Sequence, residues 1–300
     1  MKQLAPSKKE VIVNNTQHNK NFISWSASSA IVVGLVAYLF SQISIIIALV
    51  LISLFTGDSS LNDDFINQPW VSLVLTGVGA LVVLLILSLY LKYKKLNYTV
   101  LGLGKISQAK FWMVPLVFIV YMATTAMVIG LTSLIFTSFD VEQEQVVGYD
   151  GAAGWQLVLA FIGLVIIPPF AEELMFRGFI YQGLKNNWKN LAVVIAGLVV
   201  SPLLLVLVGP VAGSVFGLGT IISLLLAKMK PIYGAAFFTS MLFGLVHLQW
   251  NVAIDTFILS FFLIWIFEKT DNLWGSIALH ALKNGLAFSL LFLFKDIISL

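Results

Sequence analysis

The sequence predicts an all-α fold, a polytopic bundle of eight or nine transmembrane helices around an internal polar cavity. Of the 300 residues, 59% are hydrophobic and only 10% are charged, whereas charged residues make up about 25% of soluble domains. A few charged and polar residues nevertheless interrupt the apolar runs. An ionisable group inside a bilayer costs roughly 2.5 to 3.5 kcal/mol, so a retained one usually faces a cavity or a partner.

The spans follow from apolar runs of about 17 to 25 residues, the length that a helix needs to cross a bilayer. They are predicted at 28–56, 70–91, 111–137, 154–184, 190–208, 211–227, 232–249, 252–267 and 273–294. Eight spans are an alternative count. The pair joined at Gly209-Pro210 is also a candidate for a short hairpin that does not fully cross. Tryptophans support the boundaries, because seven lie at predicted span ends, where the headgroup zone suits their rings: Trp25, Trp70, Trp112, Trp155, Trp188, Trp250 and Trp274.

The distribution of charge predicts the orientation of the bundle. Lysines occur in the polar tail 1–27 and in alternate connections, and the connections between them are acidic, with Asp58, Asp63, Asp64, Asp140, Glu142, Glu144 and Asp150. Because positively charged short loops stay on the cytoplasmic side, we expect a cell-membrane protein with a cytoplasmic N-terminus. Topology and lipid headgroups account for the lysines, so no nucleic-acid partner is expected. The tail is too polar for a signal peptide, and no cleavage is expected.

The fourth predicted span carries two adjacent carboxylates and the only arginine of the chain. Glu172 and Glu173 directly follow Pro168-Pro169-Phe170-Ala171, and Arg177 comes four residues after Glu173. Residues four apart share a helix face, so Glu173 and Arg177 are expected to pair while Glu172 faces another wall of the cavity. The two prolines are expected to interrupt the helix just before the glutamates.

Two histidines lie in later spans, and each has a partner four residues away. Phe243 precedes His247, and Asn284 follows His280, so each pair shares a helix face. Counted at 1.5 Å per residue from the nearest turns, Glu172 and His247 reach a similar height, whereas His280 falls about 10 Å short. A tilted helix, a re-entrant start or a misplaced turn would have to absorb this mismatch.

Taken in order, Glu-Glu-x-x-x-Arg, Phe-x-x-x-His and His-x-x-x-Asn resemble the signature of the CAAX protease and bacteriocin-processing (CPBP) family of intramembrane proteases, also called the Abi family. Flanking residues are similar as well: Pro168 before the acids, Phe176-Arg177-Gly178 after them, and Leu273-Trp274-Gly275-Ser276-Ile277 before the last histidine. The resemblance covers residues 155–290.

The resemblance implies an intramembrane endopeptidase that hydrolyses a peptide bond in a membrane-associated peptide or protein. It implies a catalytic set inside the bundle with three supporting residues: Glu172, His247, His280 and Asn284, supported by Glu173, Arg177 and Phe243. Glu172, with His247, would deprotonate the attacking water. His280 and Asn284 would donate hydrogen bonds to the oxyanion, and such donors are commonly worth about 3 to 4 kcal/mol each. No cofactor is expected.

Three alternatives stay open. Glu172, His247 and His280 also form an acceptable zinc set, which would make the chain a metalloprotease, although no His-Glu-x-x-His helix is present. Some relatives act as non-catalytic membrane scaffolds or bacteriocin immunity proteins. A transporter also places polar residues at mid-membrane, but the two halves show no inverted repeat. The expected substrate is a leader peptide, a peptide pheromone or a segment of another membrane protein, and the chain has no cysteine.

The predicted organisation has three parts: the tail 1–27, N-terminal helices over 28–150 without a recognisable motif, and a protease core over 151–300. The core departs from the family pattern at 190–230, where two extra helices are expected to form an inserted hairpin that pads the bundle or alters substrate access. Lys283 also departs from the pattern. It is expected to snorkel, with an effect on His280 or the binding of a carboxylate as alternatives.

Overall fold

The computed structural model is a helical bundle, as the sequence predicts. It describes residues 25–57, 63–104, 108–136, 149 and 152–293, and these residues contain no β-strand. Several residues that support the predicted orientation lie outside the described residues: the lysines of the tail, and Asp58, Asp140, Glu142, Glu144 and Asp150. Which side of the bundle is cytoplasmic therefore stays a prediction.

Nine helices form the bundle in the described part of the chain. They are α1 (Ala27–Thr56), α2 (Pro69–Tyr93), α3 (Met113–Ile135), α4 (Gln156–Asn186), α5 (Asn190–Leu207), α6 (Pro210–Met229), α7 (Pro231–Leu245), α8 (Trp250–Thr270) and α9 (Leu273–Leu293). Shorter helical pieces cover Asp63–Ile66, Tyr98–Leu101 and Gln108–Phe111.

Local sequence signals set several helix ends. Pro69, Pro210 and Pro231 each lie in the first turn of a helix, where the N–H that proline lacks would have no partner within the helix. At the other end of α1, Gly57 takes a left-handed conformation with φ of 73°, which favours glycine and stops the helix.

Eight of the helices are long and apolar enough to cross a membrane, and α7 is the exception. Its 15 residues extend only about 22 Å, less than the roughly 30 Å of a bilayer core. The prediction of eight to nine spans is confirmed. Helices α5 and α6, joined at Gly209-Pro210, have 18 and 20 residues, and both are long and apolar enough to cross, which favours two spans over the short hairpin considered there.

The centre of the bundle is α4, which packs against α1, α2, α7, α8 and α9. Small residues let α1 approach it closely. A Cβ at Gly34 would lie 2.5 Å from Cδ1 of Ile180, and one at Gly183 would lie 2.5 Å from Cβ of Ala30. Glycine at such contacts is typical of membrane helices, whose association depends on close packing. The N-terminal helices therefore join the same bundle as the C-terminal part.

The hairpin of α5 and α6 lies at the flank of the bundle. Helix α6 packs against α7, and α5 packs against α1 and α6. The predicted hairpin over 190–230 thus forms, and it borders the helix that precedes His247. Its origin as an insertion stays a prediction.

The lysine-bearing helix ends meet at one face of the bundle. Lys185, at the end of α4, pairs with Glu268 near the end of α8 at 2.6 Å. Lys110, before α3, donates a hydrogen bond to the carbonyl of Lys269 at 2.6 Å. Both contacts lie at the end of α8, so Lys110 and Lys185, two lysines of predicted cytoplasmic connections, are close to the same helix end.

The tryptophans at the span ends differ widely in exposure. Trp112 and Trp155 are 65% and 71% exposed, as expected of residues in the headgroup zone. Trp25 is only 1% exposed. Its ring stacks on Phe179 with centroids 5.0 Å apart, and its Nε1 donates to the Phe179 carbonyl at 3.1 Å. The prediction that Trp25 anchors a span in the headgroups is therefore wrong, because the residue fastens the start of α1 to α4.

The turn between α8 and α9 is covered by the connection that follows α2. Asn272 and Leu273 are both buried. The Leu273 N–H donates to the carbonyl of Gly102 at 2.9 Å, and Asn272 Nδ2 donates to the carbonyl of Gly104 at 3.3 Å. Asp271 remains exposed, but the connection after α2 covers Asn272 and Leu273, so the start of α9 is buried.

The depth of this turn removes the height mismatch predicted for His280. A Cβ at Gly178 would contact Leu273, so α9 begins level with Gly178, eight residues before the end of α4 at Asn186. From that level, Glu173 lies five residues back along α4 and His280 seven residues along α9. The turn falls where the sequence predicts it but lies deeper than the end of α4, and this depth brings His280 level with the glutamates.

Candidate active site

Helix α4 is distorted around its prolines but not broken. π-Helical stretches at Ile162–Ile166 and Leu174–Tyr181 flank an α-helical segment, Ile167–Glu173, that contains both prolines and both glutamates. The predicted interruption thus takes the form of a π-helical turn directly before the prolines, and the helix continues beyond it. Such π-helical turns within α-helices are frequent at functional sites.

Glu173 is completely buried and holds two side chains. Its Oε1 accepts hydrogen bonds from Arg177 Nη1 at 2.8 Å and from His280 Nδ1 at 2.9 Å. The expected pair with Arg177 is present, while the bond to His280 was not predicted. Because an ionised carboxylate only accepts, this bond places a hydrogen on Nδ1 and makes Nε2 the other, acceptor nitrogen of a neutral ring.

Glu172 faces the other side of the same imidazole. Its Oε2 lies 3.9 Å from His280 Nε2, just beyond hydrogen-bonding distance, and has no hydrogen-bond partner among the described residues. The Glu172 side chain lines a cavity of about 310 Å³. His280 therefore lies between two carboxylates, one that fixes its orientation and one that borders the cavity.

His247 lines the same cavity from the turn that follows α7. The sequence prediction placed it within a helix, but α7 ends at Leu245, and Leu248 has a left-handed φ of 58°. Its Nδ1 lies 2.8 Å from the carbonyl oxygen of Phe243. A carbonyl only accepts, so Nδ1 carries the hydrogen and Nε2 is left with a lone pair. The bond also satisfies a carbonyl at the C-terminal end of α7.

Phe243 is the apolar centre of the site. Its ring meets the rings of His247 and His280 edge to face, with centroids 5.2 and 5.6 Å away. The Arg177 guanidinium lies over it, 4.1 Å from the ring centroid. Such cation–π contacts gain strength when they are desolvated. The phenylalanine of the Phe-x-x-x-His motif thus holds both histidines and the arginine in place.

Asn284 contacts α4 at a different level. Its Nδ2 donates a hydrogen bond to the main-chain carbonyl of Leu164 at 2.9 Å. Of the four predicted catalytic residues, Glu172 and His247 line the cavity and His280 approaches Glu172. Asn284 follows one helical turn after His280, and one of its two amide hydrogens is already used.

The N-terminal helices supply the polar wall of the cavity opposite Glu172. Tyr38, Ser41 and Gln42 of α1 and Thr76 of α2 line it. The Tyr38 hydroxyl also donates to the carbonyl of Val246, beside His247, at 3.3 Å. Sequence reasoning missed these residues, although polar side chains inside predicted spans at 28–56 and 70–91 were a usable signal.

Lys283 is paired inside the bundle. Its Nζ lies 3.3 Å from Asp255 Oδ2 on α8, and the hydroxyl of Tyr121 on α3 donates to the other oxygen of the same carboxylate. The prediction that Lys283 snorkels is therefore wrong, and the alternative that it binds a carboxylate is confirmed, with Asp255 as the partner. Asp255 was not singled out, although it is an acidic residue within a predicted span.

The arrangement offers no complete metal site within the part of the chain that the structure describes, where no group of three or more acidic or histidine side chains is placed to hold an ion. Glu172 and His280 Nε2, 3.9 Å apart, would supply two of the three zinc ligands considered. The zinc alternative stays a prediction that a chelator can test.

A helical bundle with two carboxylates and two histidines beside an internal cavity defines a polytopic membrane protein with an intramembrane polar site. Comparison with known families identifies it further. The family model described as type II CAAX prenyl endopeptidase Rce1-like matches residues 153–233 and 198–286. Together the two matches span residues 153–286, less than half of the chain. The matched family is the CPBP, or Abi, family, so the predicted resemblance is confirmed for the C-terminal part.

The match to this family implies protease activity on a peptide substrate. The matched residues include all of the glutamate, histidine and asparagine positions described above. No curated protein and no solved structure matched the chain.

Proposed function

We propose that the chain is an intramembrane endopeptidase in which Glu172 and His247 together activate a water molecule. The observation that carries this proposal is the cavity that both residues line. Glu172 brings a carboxylate oxygen, and His247 brings an Nε2 lone pair because Phe243 accepts its Nδ1 hydrogen. A water between these acceptors can give up a proton to one while the other orients it.

The reaction proceeds in two steps. In the first, one O–H bond of the water breaks, its proton passes to Glu172, and the hydroxide oxygen bonds to the scissile carbonyl carbon. In the second, the C–N bond breaks as the proton passes from Glu172 to the leaving nitrogen. The products are a carboxylic acid and an amine, and Glu172 returns to its starting state. One carboxyl group thus acts as base and then as acid.

His280 and Asn284 are proposed to stabilise the oxyanion. Each can do so only with an N–H that is not already used in a hydrogen bond within the protein. The Nδ1 hydrogen of His280 goes to Glu173, so Nε2 donates only when the ring carries a second proton. Glu173 behind the ring would offset that charge, as the aspartate does in Ser-His-Asp triads. Asn284 would donate with the amide hydrogen that does not serve Leu164.

The proposed substrate is a peptide or membrane-protein segment in extended form. A carbonyl within a helix is already hydrogen-bonded, so a helical substrate must unwind before water can attack it. The polar wall formed by Tyr38, Ser41, Gln42 and Thr76 provides hydrogen-bonding groups opposite Glu172 that an unwound backbone needs inside a membrane. A leader peptide, a pheromone precursor or a transmembrane segment fits this description.

The test is cleavage of a quenched peptide library by purified protein in detergent. Wild type and Glu172→Gln are compared, each with and without a zinc chelator. Glu268→Gln is the matched control, because it neutralises a carboxylate that pairs with Lys185 at the face of the bundle. We expect cleavage by wild type and Glu268→Gln, none by Glu172→Gln, and no effect of the chelator.

Three other outcomes of this assay would contradict the proposal. Loss of cleavage with the chelator would favour the zinc-dependent protease. Cleavage by Glu172→Gln at the wild-type rate would show that another group is the base. If folded wild type cleaves nothing in the library, the proposed activity fails and the non-catalytic scaffold or immunity role becomes the better explanation.

A further inference from the structure

The main-chain carbonyl of Leu164 lies at a point in α4 where the helix cannot supply a donor. Its α-helical donor would be the N–H of residue 168, and its π-helical donor would be the N–H of residue 169. Both residues are proline and have no N–H. The N–H of Ile167, one residue nearer, bonds to the carbonyl of Ile162.

Asn284 provides the missing donor from a different helix. Its Nδ2 donates to the Leu164 carbonyl at 2.9 Å, across 120 residues of sequence. A carbonyl inside a membrane bundle has little access to water, so it requires such a partner. The proline pair and the asparagine therefore act together. Pro168 and Pro169 leave the Leu164 carbonyl without a main-chain donor, and the Asn284 side chain supplies one.

We infer that Asn284 is a positioning residue that ties α9 to the proline-distorted segment of α4 and thereby sets the register between His280 and the two glutamates. Two hydrogen bonds join these helices near the site, Asn284 to Leu164 and His280 to Glu173. Two separate bonds prevent α9 from sliding along α4 or rotating about its own axis. The consequence for catalysis rests on the proposed function, whereas the pairing of the carbonyl does not.

A double-mutant cycle tests the inference. Pro168→Ala returns an N–H to the position from which the main chain can bond to Leu164. Asn284→Ala should lower the unfolding temperature in the wild-type background, and that loss should fall to roughly half or less in the Pro168→Ala background, because the two sites are coupled. Equal losses in the two backgrounds would overturn the inference.

Two further variants keep the cycle decisive. Pro202 lies inside α5, away from Asn284, so Pro202→Ala combined with Asn284→Ala should give additive losses. If Pro168→Ala does not yield folded protein, Pro169→Ala returns an N–H in reach of a π-helical bond to Leu164, and the same reduction is expected. Absence of coupling with either proline contradicts the inference.

Kinetics with a library peptide separate positioning from direct contact with the substrate. A positioning role predicts that Asn284→Ala lowers kcat more than it changes KM. It also predicts that Pro168→Ala alone lowers kcat part of the way, because the returned main-chain N–H competes with Asn284 for the Leu164 carbonyl. If Asn284 acts only on the oxyanion, Pro168→Ala leaves kcat at the wild-type value, and the positioning role fails. Because the unfolding temperatures need no substrate, failure of the proposed activity and failure of this inference are distinguishable.

Discussion

In the part of the chain that the structure describes, two charged clusters lie against α9, and they differ in burial and in the groups that they contact. In the first, Glu173 and Arg177 have no exposed side-chain surface, and Glu173 also holds His280. In the second, Asp255 and Lys283 keep 16% and 21% of their side-chain surface exposed. Helix α9 contributes to both, through His280 and Lys283.

The difference in burial indicates which cluster orients a side chain of the site. Every charge in the first cluster depends on its protein partners, because no solvent is available to replace them. That cluster fixes one nitrogen of His280 and leaves the other facing Glu172 at the cavity. The second cluster joins α3, α8 and α9 through Tyr121, Asp255 and Lys283. We therefore expect changes in the first cluster to affect activity and folding strongly, and changes in the second to affect mainly stability.

Glu172→Gln should give the largest change. Glutamine keeps the size of the side chain but cannot take up the proton of water, so the rate should fall by about 10² to 10⁴-fold, the usual contribution of general acid–base catalysis. The protein should still insert and purify, since Glu172 makes no hydrogen bond that the fold requires. Measurement of kcat and of the unfolding temperature checks both statements. A folded variant with wild-type kcat would exclude Glu172 as the base, and an unfolded one would favour a structural role.

Arg177→Ala should have the largest effect on folding. It strands the Glu173 carboxylate in a fully buried position, and breaking a buried pair in this way costs about 3 to 5 kcal/mol. Lys185→Ala is the matched control, because it breaks a pair whose side chains are 31% and 26% exposed. The yield of monodisperse protein and its unfolding temperature should fall sharply for Arg177→Ala and little for the control. Similar losses for the two variants would remove the distinction between enclosed and exposed pairs.

Phe243→Leu should have an intermediate effect. It removes the ring that faces Arg177, His247 and His280, at about 0.5 to 1.5 kcal/mol for each aromatic contact. Phe238→Leu is the matched control, since Phe238 is equally buried on the same helix and its ring packs against Phe216. Both substitutions remove the same volume, so only Phe243→Leu should lower kcat beyond its effect on stability. Equal losses of kcat would mean that Phe243 is ordinary packing.

Much of this arrangement could be predicted from the sequence, because the membrane constrains it. Apolar runs predict the helices to within a few residues, and i, i+4 spacing predicts the Glu173–Arg177 pair. The bond between His280 and Glu173 could not be predicted, since it depends on how deeply the α8–α9 turn lies, which a contact with Gly102 sets. Contacts between helices distant in sequence leave no periodic signal.

The absence of a sequence signal for contacts between helices also explains why the snorkelling prediction for Lys283 was wrong. Spacing relates it to His280 on its own helix, whereas its partner Asp255 lies on α8, and only the packing of α8 on α9 brings the two together. Tyr121 comes from a third helix, 134 residues from Asp255. The sequence contains both an acidic and a basic residue within adjacent spans, and a charge in a span usually has a partner. Applied to both spans, that rule would have favoured a pair over snorkelling.

Lys283→Met should give the smallest effect and is the sharpest test of whether the two clusters are independent. Methionine keeps the length of the side chain and removes its charge, while Asp255 retains the hydrogen bond from Tyr121 and some exposure. Interhelical polar contacts in membranes average about 0.6 kcal/mol, so the unfolding temperature should fall slightly. Cleavage should continue at nearly the wild-type kcat. A folded Lys283→Met variant with no activity would place Lys283 in the site itself, as a ligand for a substrate carboxylate. Helix α9 would then serve one extended site in place of two separate clusters.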